Sequence, residues 1–232
     1  IMIKIIYINF CKIYNYIFSF YEFVFLKNKE TLPLKDYYLL TLKKKVTLSL
    51  KSKKKISINT NLQKYILKQK DIDFLINELF IKNNLKKKIS MLTGYNFFIG
   101  YIIAYKTKKI LKKNINSDLF ANKWHKDKPY TKNLLKIILP LGSIGNFDGG
   151  IEIKHNVNKH YKMTGNSKNI LIFFPNKNYH RAGNPQKDRN QIMLQLVPSK
   201  NWSFNNSLKD DQYKIEPKFP FFSYIFKEKI NL

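Results

Sequence analysis

The fold is decided by the stretch KNILIFFPNKNYHRAGNPQKDRNQIMLQLVP, residues 168–198. It contains two apolar runs rich in branched side chains, and a polar segment of Asn, Gly, Pro and Lys separates them. Short apolar runs bounded by such residues are typical of buried strands joined by turns. No helical pattern lies between the runs, so the chain is expected to pass directly from one strand to the next.

Three similar runs precede this stretch: YNFFIGYIIAY at 95–105, LLKIILPL at 134–141 and GGIEIKH at 149–155. Five or more strands without intervening helical patterns favour an antiparallel sandwich or a jelly roll. Gly149 and Gly150 are interpreted as the tight turn into the IEI strand, because glycine tolerates backbone conformations that other residues avoid.

The sequence before these runs has a different character. Residues 36–60 alternate apolar and polar side chains around two lysine clusters, which predicts β-hairpins. Residues 71–89 space apolar side chains three and four apart, which predicts a helix with Asp71 as its N-cap. We therefore divide the chain into an N-terminal extension (1–69) of an apolar helix and β-hairpins, a β core with its preceding helix (70–200), and a C-terminal tail (201–232) that packs on the core.

Length and composition predict one domain with extensions. The chain has 232 residues, of which 44% are hydrophobic and 15% aromatic, enough to form a packed core. Its one cysteine, Cys11, excludes an internal disulfide and a cysteine-rich zinc site. A reducing, cytoplasmic location is expected.

The formal net charge is +28, which by itself suggests a polyanionic partner. However, only two of the 43 basic residues are arginine, and the abundance of Lys, Asn and Ile is typical of an AT-rich coding background. Direct reading of nucleic acid relies on Arg and on aromatics set within a basic stripe, and no such stripe stands out. The charge is attributed mainly to solvated surfaces, and nucleic acid is disfavoured as a partner.

Residues 1–26 are apolar and aromatic, but Lys4, Lys12 and Glu22 interrupt them. The longest clean run is shorter than the about 20 residues needed to span a bilayer, and no secretory cleavage signal follows it. Two interpretations stay open: a helix lying at a membrane surface, which would make the protein peripheral to the membrane, and a helix packed on the domain. Because residue 1 is Ile, the true N-terminus also stays open.

Four residues are candidates for binding a metal ion and a co-substrate. His125 and Asp127 form a His-x-Asp pair, and His180 follows a strongly hydrophobic strand much later in the chain. Such a pair, completed by a distant histidine, can form the facial triad that binds Fe(II) and leaves positions open. Arg189 lies nine residues beyond His180, and its planar guanidinium suits two-pronged binding of a carboxylate.

The other histidines are weaker candidates. His155 and His160 fall in a polar loop where no strand is expected to fix a ligand. Trp124, beside His125, is interpreted as a packing residue that supports the pocket.

The segments WHKD, LLKIILPL, GGIEI and NYHRAGNPQKDR together resemble the Fe(II)/2-oxoglutarate-dependent dioxygenases. The nearest branches are the phytanoyl-CoA dioxygenase-like and prolyl-hydroxylase-like proteins, and the resemblance covers roughly residues 70–200. It implies a mainly β (α+β) fold, a double-stranded β-helix or jelly roll with flanking N-terminal helices. It also implies that His125, Asp127 and His180 bind iron.

The resemblance further implies that Arg189 pairs with the far carboxylate of 2-oxoglutarate. Gln191 stands where many members have Ser or Thr, which leaves a second contact to that carboxylate open. Tyr105, Tyr101 and Lys136 are candidates for an additional contact. The cofactors implied are Fe(II), 2-oxoglutarate and O2, with ascorbate as a candidate reductant.

The implied activity is that of an oxidoreductase, a hydroxylase acting on an unactivated carbon of a small-molecule, lipid or sugar substrate. The basic surface favours an anionic one. Two rival functions remain: a non-catalytic basic protein that binds nucleic acid or an anionic membrane, and a cupin-like metalloenzyme that does not use 2-oxoglutarate. The sequence does not indicate an oligomeric state.

Overall fold

The computed structural model describes residues 16–27, 35–110, 121–127, 131–154 and 159–204, together with residues 10 and 13. This part of the chain forms two antiparallel sheets flanked by short helices. The strands are β1 (Tyr37–Thr41), β2 (Lys55–Ser57), β3 (Leu62–Tyr65), β4 (Asn96–Thr107), β5 (Leu135–Pro140), β6 (Ile151–Lys154), β7 (His160–Lys162), β8 (Asn169–Phe173), β9 (His180–Ala182) and β10 (Arg189–Ser199).

The large sheet has the order β1-β8-β5-β10-β4-β3-β2, and the small sheet has the order β7-β6-β9. From β4 onward the chain crosses repeatedly between them, since β4, β5, β8 and β10 lie in the large sheet and β6, β7 and β9 in the small one. An isolated bridge between His125 and His180 extends the small sheet beside β9. Two facing antiparallel sheets linked in this way form a jelly roll, and the predicted double-stranded β-helix is confirmed.

The five apolar runs noted in the sequence correspond to β4, β5, β6, β8 and β10. The hairpins predicted over residues 36–60 are only partly present. Strands β2 and β3 form a hairpin, whereas β1 pairs with β8 and therefore lies at the opposite edge of the large sheet. Alternation of polar and apolar residues indicates a strand but does not identify its partner, which explains the difference.

The helix predicted from Asp71 is two helices, α1 (Gln69–Ile76) and α2 (Leu85–Thr93), joined by a π-helical segment (Asn77–Lys82). Asp71 is not the N-cap but the third residue of α1, where its carboxylate accepts a 2.9 Å hydrogen bond from the backbone N–H of Lys68. Asn84 adopts a left-handed conformation (φ 53°), which ends one helix and begins the next.

Two hydrophobic clusters divide the interior. The larger one lies between the outer face of the large sheet and α1 and α2, and the smaller one lies between the two sheets. Side chains of β10 alternate between these clusters: Ile192 and Leu194 belong to the first, and Met193 belongs to the second. The same alternation places Arg189 and Gln191 on the inner face, in the space between the sheets.

The chain termini are only partly described. Residues 16–27 include a helical segment that ends in a π-helical turn (Glu22–Leu26), and no described helix is long and apolar enough to cross a membrane. At the other end, Trp202 and Phe204 pack against Phe80. The predicted tail lies outside the described residues from position 205 onward.

Candidate metal and co-substrate site

His125, Asp127 and His180 lie together between the sheets, with one potential ligand atom from each within 4.8 Å of the others. The Oδ1 atom of Asp127 is 3.5 Å from Nε2 of His125 and 3.5 Å from Nε2 of His180. The structure thus brings together the three residues that the sequence nominated as metal ligands.

Backbone pairing produces this arrangement. The N–H of His125 donates to the carbonyl of His180 at 3.1 Å, and the N–H of His180 donates back at 2.9 Å. The N–H of Asp127 donates to the carbonyl of Pro175 at 3.0 Å, so the segment is held at two points. Because residues two apart in an extended segment share a face, His125 and Asp127 both face His180.

The two imidazoles are held in the same orientation by backbone carbonyls. Nδ1 of His125 is 2.8 Å from the carbonyl oxygen of Lys123, and Nδ1 of His180 is 3.1 Å from that of Asn178. Each Nδ1 therefore carries a proton that it donates. In a neutral imidazole this leaves Nε2 with a lone pair, which is the form that binds a metal.

Asp127 is ionised in this surrounding. Burial acts to raise the pKa of its carboxyl group, but the charge of Lys136 and the contacts with both histidines outweigh burial and hold that pKa far below its usual range. Lys136 forms an ion pair with Oδ2 of Asp127. The other oxygen, Oδ1, is the one that faces the histidines.

The two histidines differ in exposure. The side chain of His180 is 6% exposed, and burial lowers its pKa. The side chain of His125 is 35% exposed, and the hydrogen bond to Asp127 raises its pKa against the effect of burial. His180 is consequently the inner member of the cluster, and His125 lies nearer to solvent.

Arg189 is buried on the inner face at the start of β10. Among the described residues, no group accepts a hydrogen bond from its Nε or Nη1 atoms. Burial lowers the pKa of Arg189, while Tyr105 and Asp148 act to raise it. A buried guanidinium with free donors is costly, which makes this position suited to an anionic ligand.

Gln191 and Tyr105 lie next to each other on the same inner face, since β10 pairs with β4 in this register. Nε2 of Gln191 donates to the hydroxyl of Tyr105, and in the described part of the chain Oε1 of Gln191 has no partner. Burial raises the pKa of Tyr105, although the charge of Arg189 acts against it. The sequence did not indicate this contact, because it depends on strand register.

The remaining candidates fall in different places. Lys136 binds Asp127 rather than lying free for a co-substrate, and Tyr101 packs against the inner cluster. His160 is not in a loop but begins β7, and its Nε2 lies 3.8 Å from the Oε2 atom of Glu152, away from the triad. His155 lies outside the described residues.

The second arginine faces the opposite side of the small sheet. Nε and Nη2 of Arg181 each lie 2.7 Å from Oε2 of Glu152, and its guanidinium stacks on Trp124 at 4.5 Å from the ring centroid. Glu152 is buried, and its ion pair with Arg181 links β6 to β9 on the face of the small sheet opposite the triad. Trp124 packs on Arg181, and its expected support of the metal pocket stays a prediction.

Comparisons with known proteins find distant likenesses. No protein-family model matches the chain, and no curated protein matches its sequence. The chain is similar to HygX from Streptomyces hygroscopicus with nickel and 2-oxoglutarate bound, at 9% identity and a TM-score of 0.48, over 71% of this chain and 83% of that one.

Two further solved structures are similar at the same level. The non-heme alpha ketoglutarate dependent epimerase SnoN from nogalamycin biosynthesis has 11% identity and a TM-score of 0.47, over 62% of this chain and 66% of that one. A prolyl hydroxylase from Trichoplax adhaerens has 16% identity and a TM-score of 0.45, over 61% and 66%. What these three proteins bind or catalyse is a property of those proteins. From its own strand order and side chains, this chain is a jelly-roll protein with a candidate metal centre between its sheets.

Proposed function

We propose that this protein is an Fe(II)- and 2-oxoglutarate-dependent oxygenase, a hydroxylase acting on an unactivated carbon. The observation that carries the proposal is the convergence of His125, Asp127 and His180 on one point between the sheets. Two imidazoles and one carboxylate on one side of a metal form the facial triad of non-heme Fe(II) oxygenases, which leaves positions open for a co-substrate and oxygen.

The residues present fit a divalent metal. Both Nδ1 atoms face carbonyl oxygens, and both Nε2 atoms face Oδ1 of Asp127, so each imidazole has an acceptor at both nitrogens. Satisfying all four contacts by hydrogen bonds would require both rings to be protonated and charged. A cation bound by the two Nε2 atoms and Oδ1 removes this requirement, because neutral imidazoles then suffice.

The residues also fit a dicarboxylate co-substrate. Arg189 offers two buried donors without partners among the described groups, and Gln191 and Tyr105 lie beside it on the same face. A carboxylate bound there would neutralise the buried charge of Arg189. It would accept two hydrogen bonds from the guanidinium in the bidentate geometry that this group favours. In this arrangement Gln191 orients the Tyr105 hydroxyl, so that its proton faces the same carboxylate.

When bound, Fe(II) and 2-oxoglutarate would allow O2 to oxidise a substrate carbon. Ascorbate is a candidate reductant. The chain contributes position and exclusion of water. Lys136 fixes Asp127 through its outer oxygen, and the backbone carbonyls fix the two rings. The apolar inner cluster excludes bulk water, which strengthens these interactions. Its members include Ile103, Ile138, Leu171, Phe173 and Met193.

The substrate is proposed to be an anionic small molecule, lipid or sugar, since the net charge of +28 attracts anions. Two other functions make different predictions. A cupin-like metalloenzyme would bind metal in the triad without needing Arg189 to bind a carboxylate. A non-catalytic basic protein would bind polyanions with strong salt dependence and would not respond to changes in the triad.

Thermal unfolding distinguishes the three proposed functions, with Ni(II) as a redox-inert substitute for Fe(II). With metal present, 2-oxoglutarate at about 100 times its Kd should stabilise the fold by about 2.7 kcal/mol. For a chain of this size that corresponds to a rise in Tm of roughly 5–10 °C. The rise should be lost in His125→Ala, fall to about half or less in Arg189→Ala and be retained in His160→Ala.

A rise with metal but none with 2-oxoglutarate would identify the cupin-like alternative, and no response to either ligand would rule out both enzymes. Activity is then measured as succinate formed from 2-oxoglutarate in the presence of Fe(II) and O2. His125→Ala should abolish it, whereas His160→Ala should preserve it.

A further inference from the structure

The N-terminal helical segment, residues 16–26, presents most of its apolar side chains away from the domain, although Leu26 packs against the larger hydrophobic cluster. Ile17, Phe20 and Val24 follow each other at spacings of three and four, which places them on one side of the described segment. They are 55%, 63% and 49% exposed. Phe23 and Phe25, at 58% and 69%, extend this surface. We call these five residues, three of them phenylalanines, the aromatic face.

The polar residues of the segment hold it to the domain. Oγ of Ser19 accepts a 3.1 Å hydrogen bond from the backbone N–H of Lys132. Oε2 of Glu22 accepts a 3.0 Å hydrogen bond from Nδ2 of Asn133, and Glu22 is fully buried. The usual orientation of a surface helix is therefore reversed, and buried polar contacts fix it that way.

Lysines lie beside this face. Nζ of Lys27 is 5.0 Å from the centre of the Phe23 ring, and Lys132 adjoins the segment through its bond to Ser19. Burial lowers the pKa of Lys177, and repulsion by Lys132 and Lys27 lowers it further, while Glu22 and Asp36 act in the opposite direction. Lys177 therefore lies within range of the charges of both Lys27 and Lys132.

We propose that the aromatic face docks on an anionic lipid bilayer, with Lys27 and Lys132 at the level of the headgroups. Aromatic and aliphatic side chains of an interfacial helix enter the boundary between headgroups and acyl chains, and adjacent lysines bind anionic headgroups. A second copy of the chain fits less well, because pairing two such faces would bring together two lysine clusters on molecules of net charge +28. The docking does not depend on the chemistry proposed for the metal centre.

The test is flotation of the full chain with vesicles of phosphatidylcholine alone and of equimolar phosphatidylcholine and phosphatidylserine. The wild-type chain should float with the second and much less with the first, and added salt should weaken the binding. The triple variant Phe20→Ser, Phe23→Ser, Phe25→Ser should lose about ten-fold or more in binding. The double variant Lys27→Glu, Lys132→Glu should lose the preference for phosphatidylserine.

Matched changes elsewhere provide the controls. Phe147→Ser alters a side chain that is 71% exposed in the loop between β5 and β6, and Lys51→Glu alters an exposed lysine between β1 and β2. Both should bind vesicles like the wild-type chain, and circular dichroism should show that all variants fold.

Three results would overturn the proposal: no flotation of the wild-type chain, equal binding to both vesicle types, or binding unaffected by the changes in the aromatic face. Sedimentation without lipid provides a further outcome. A dimer that the triple variant abolishes, in a chain that does not float, would assign the face to a second copy instead.

Discussion

Nε2 of His180 lies 3.5 Å from Oδ1 of Asp127, although the two residues belong to distant parts of the sequence. The bridge between His125 and His180 produces this contact, because it aligns two edge segments of the small sheet. Oδ1 also faces Nε2 of His125 at 3.5 Å, so one carboxylate oxygen lies between two imidazoles. A divalent cation is the simplest partner for all three atoms.

Removing one of these groups should therefore abolish metal binding. We expect Asp127→Ala and His180→Ala to weaken Ni(II) binding by more than about 100-fold, which exceeds the effect typical of residues outside the direct ligand set. Isothermal titration calorimetry measures the affinity. His160→Ala, which removes a histidine 3.8 Å from Glu152, is the control and should bind normally. Equal affinities in all three variants would place the metal elsewhere.

The sequence pattern predicted the apolar strands, including the four-residue β6, but not β7 and β9. The runs that became β4 and β10 are long and apolar, and burial of one or both faces leaves a clear pattern. Strands β7 and β9 have three residues each, too few to show any period. The spacing of His180 from Asp127 and Arg189 could be read from the sequence. The strand that carries His180, β9, could not be predicted.

Side-chain contacts between strands could not be predicted from the sequence either. The sequence offered Lys136 as a co-substrate residue, but its ion pair with Asp127 depends on how the segment 121–127 is placed relative to β5. The contact of Gln191 with Tyr105 likewise depends on the register of β10 against β4. Type and spacing of residues predict which groups are available, and register decides which of them meet.

The two arginines should respond in opposite ways to replacement by methionine. Arg189→Met removes a buried charge with unpaired donors, so in the absence of ligand the free energy of unfolding should stay the same or rise. Binding of 2-oxoglutarate should weaken by roughly 10-fold to 100-fold, the equivalent of about 1.5–3 kcal/mol for a hydrogen bond to a charged group. Urea unfolding and calorimetry give the two quantities.

Arg181→Met is the matched control. It leaves the carboxylate of Glu152 buried without its closest partner, and because Arg181 is itself partly exposed we expect a loss of about 1–3 kcal/mol in stability. Binding of 2-oxoglutarate should be retained in the folded fraction. If Arg181→Met abolished that binding and Arg189→Met did not, the roles assigned to the two arginines would be reversed.

Gly150 should tolerate no side chain. A Cβ atom at this position would lie 1.9 Å from the backbone carbonyl oxygen of Met163 and 2.9 Å from its carbonyl carbon. Because both contacts are with backbone, Gly150→Ala must displace the chain, and we expect a loss of at least about 2 kcal/mol in the free energy of unfolding. Gly142→Ala is the control: its Cβ would meet nothing within 4 Å, so a change below about 0.5 kcal/mol is expected. Similar losses in both variants would contradict the close approach at Gly150.

The contribution of Asp71 to stability should depend on pH. Burial acts to raise the pKa of its carboxyl group, but hydrogen bonds from Nζ of Lys53 and from the backbone of Lys68, at 2.6 and 2.9 Å, outweigh burial and lower it. A carboxyl group whose pKa is lower in the folded state releases its proton more readily there than in the unfolded chain. Its stabilisation is therefore complete above the unfolded value of about 4 and is lost as the pH falls through the folded value.

We expect Asp71→Asn to lower the free energy of unfolding by about 1–2 kcal/mol at pH 7, and this difference from the wild-type chain should shrink steadily below about pH 4. Urea unfolding of both proteins at a series of pH values measures it, and taking the difference removes the acid sensitivity they share. Asp73→Asn, at an exposed position of the same helix, should change the free energy by less than about 0.5 kcal/mol throughout. A difference for Asp71→Asn that stayed constant down to low pH would show that its loss acts through helix geometry and not through the charge of the carboxylate.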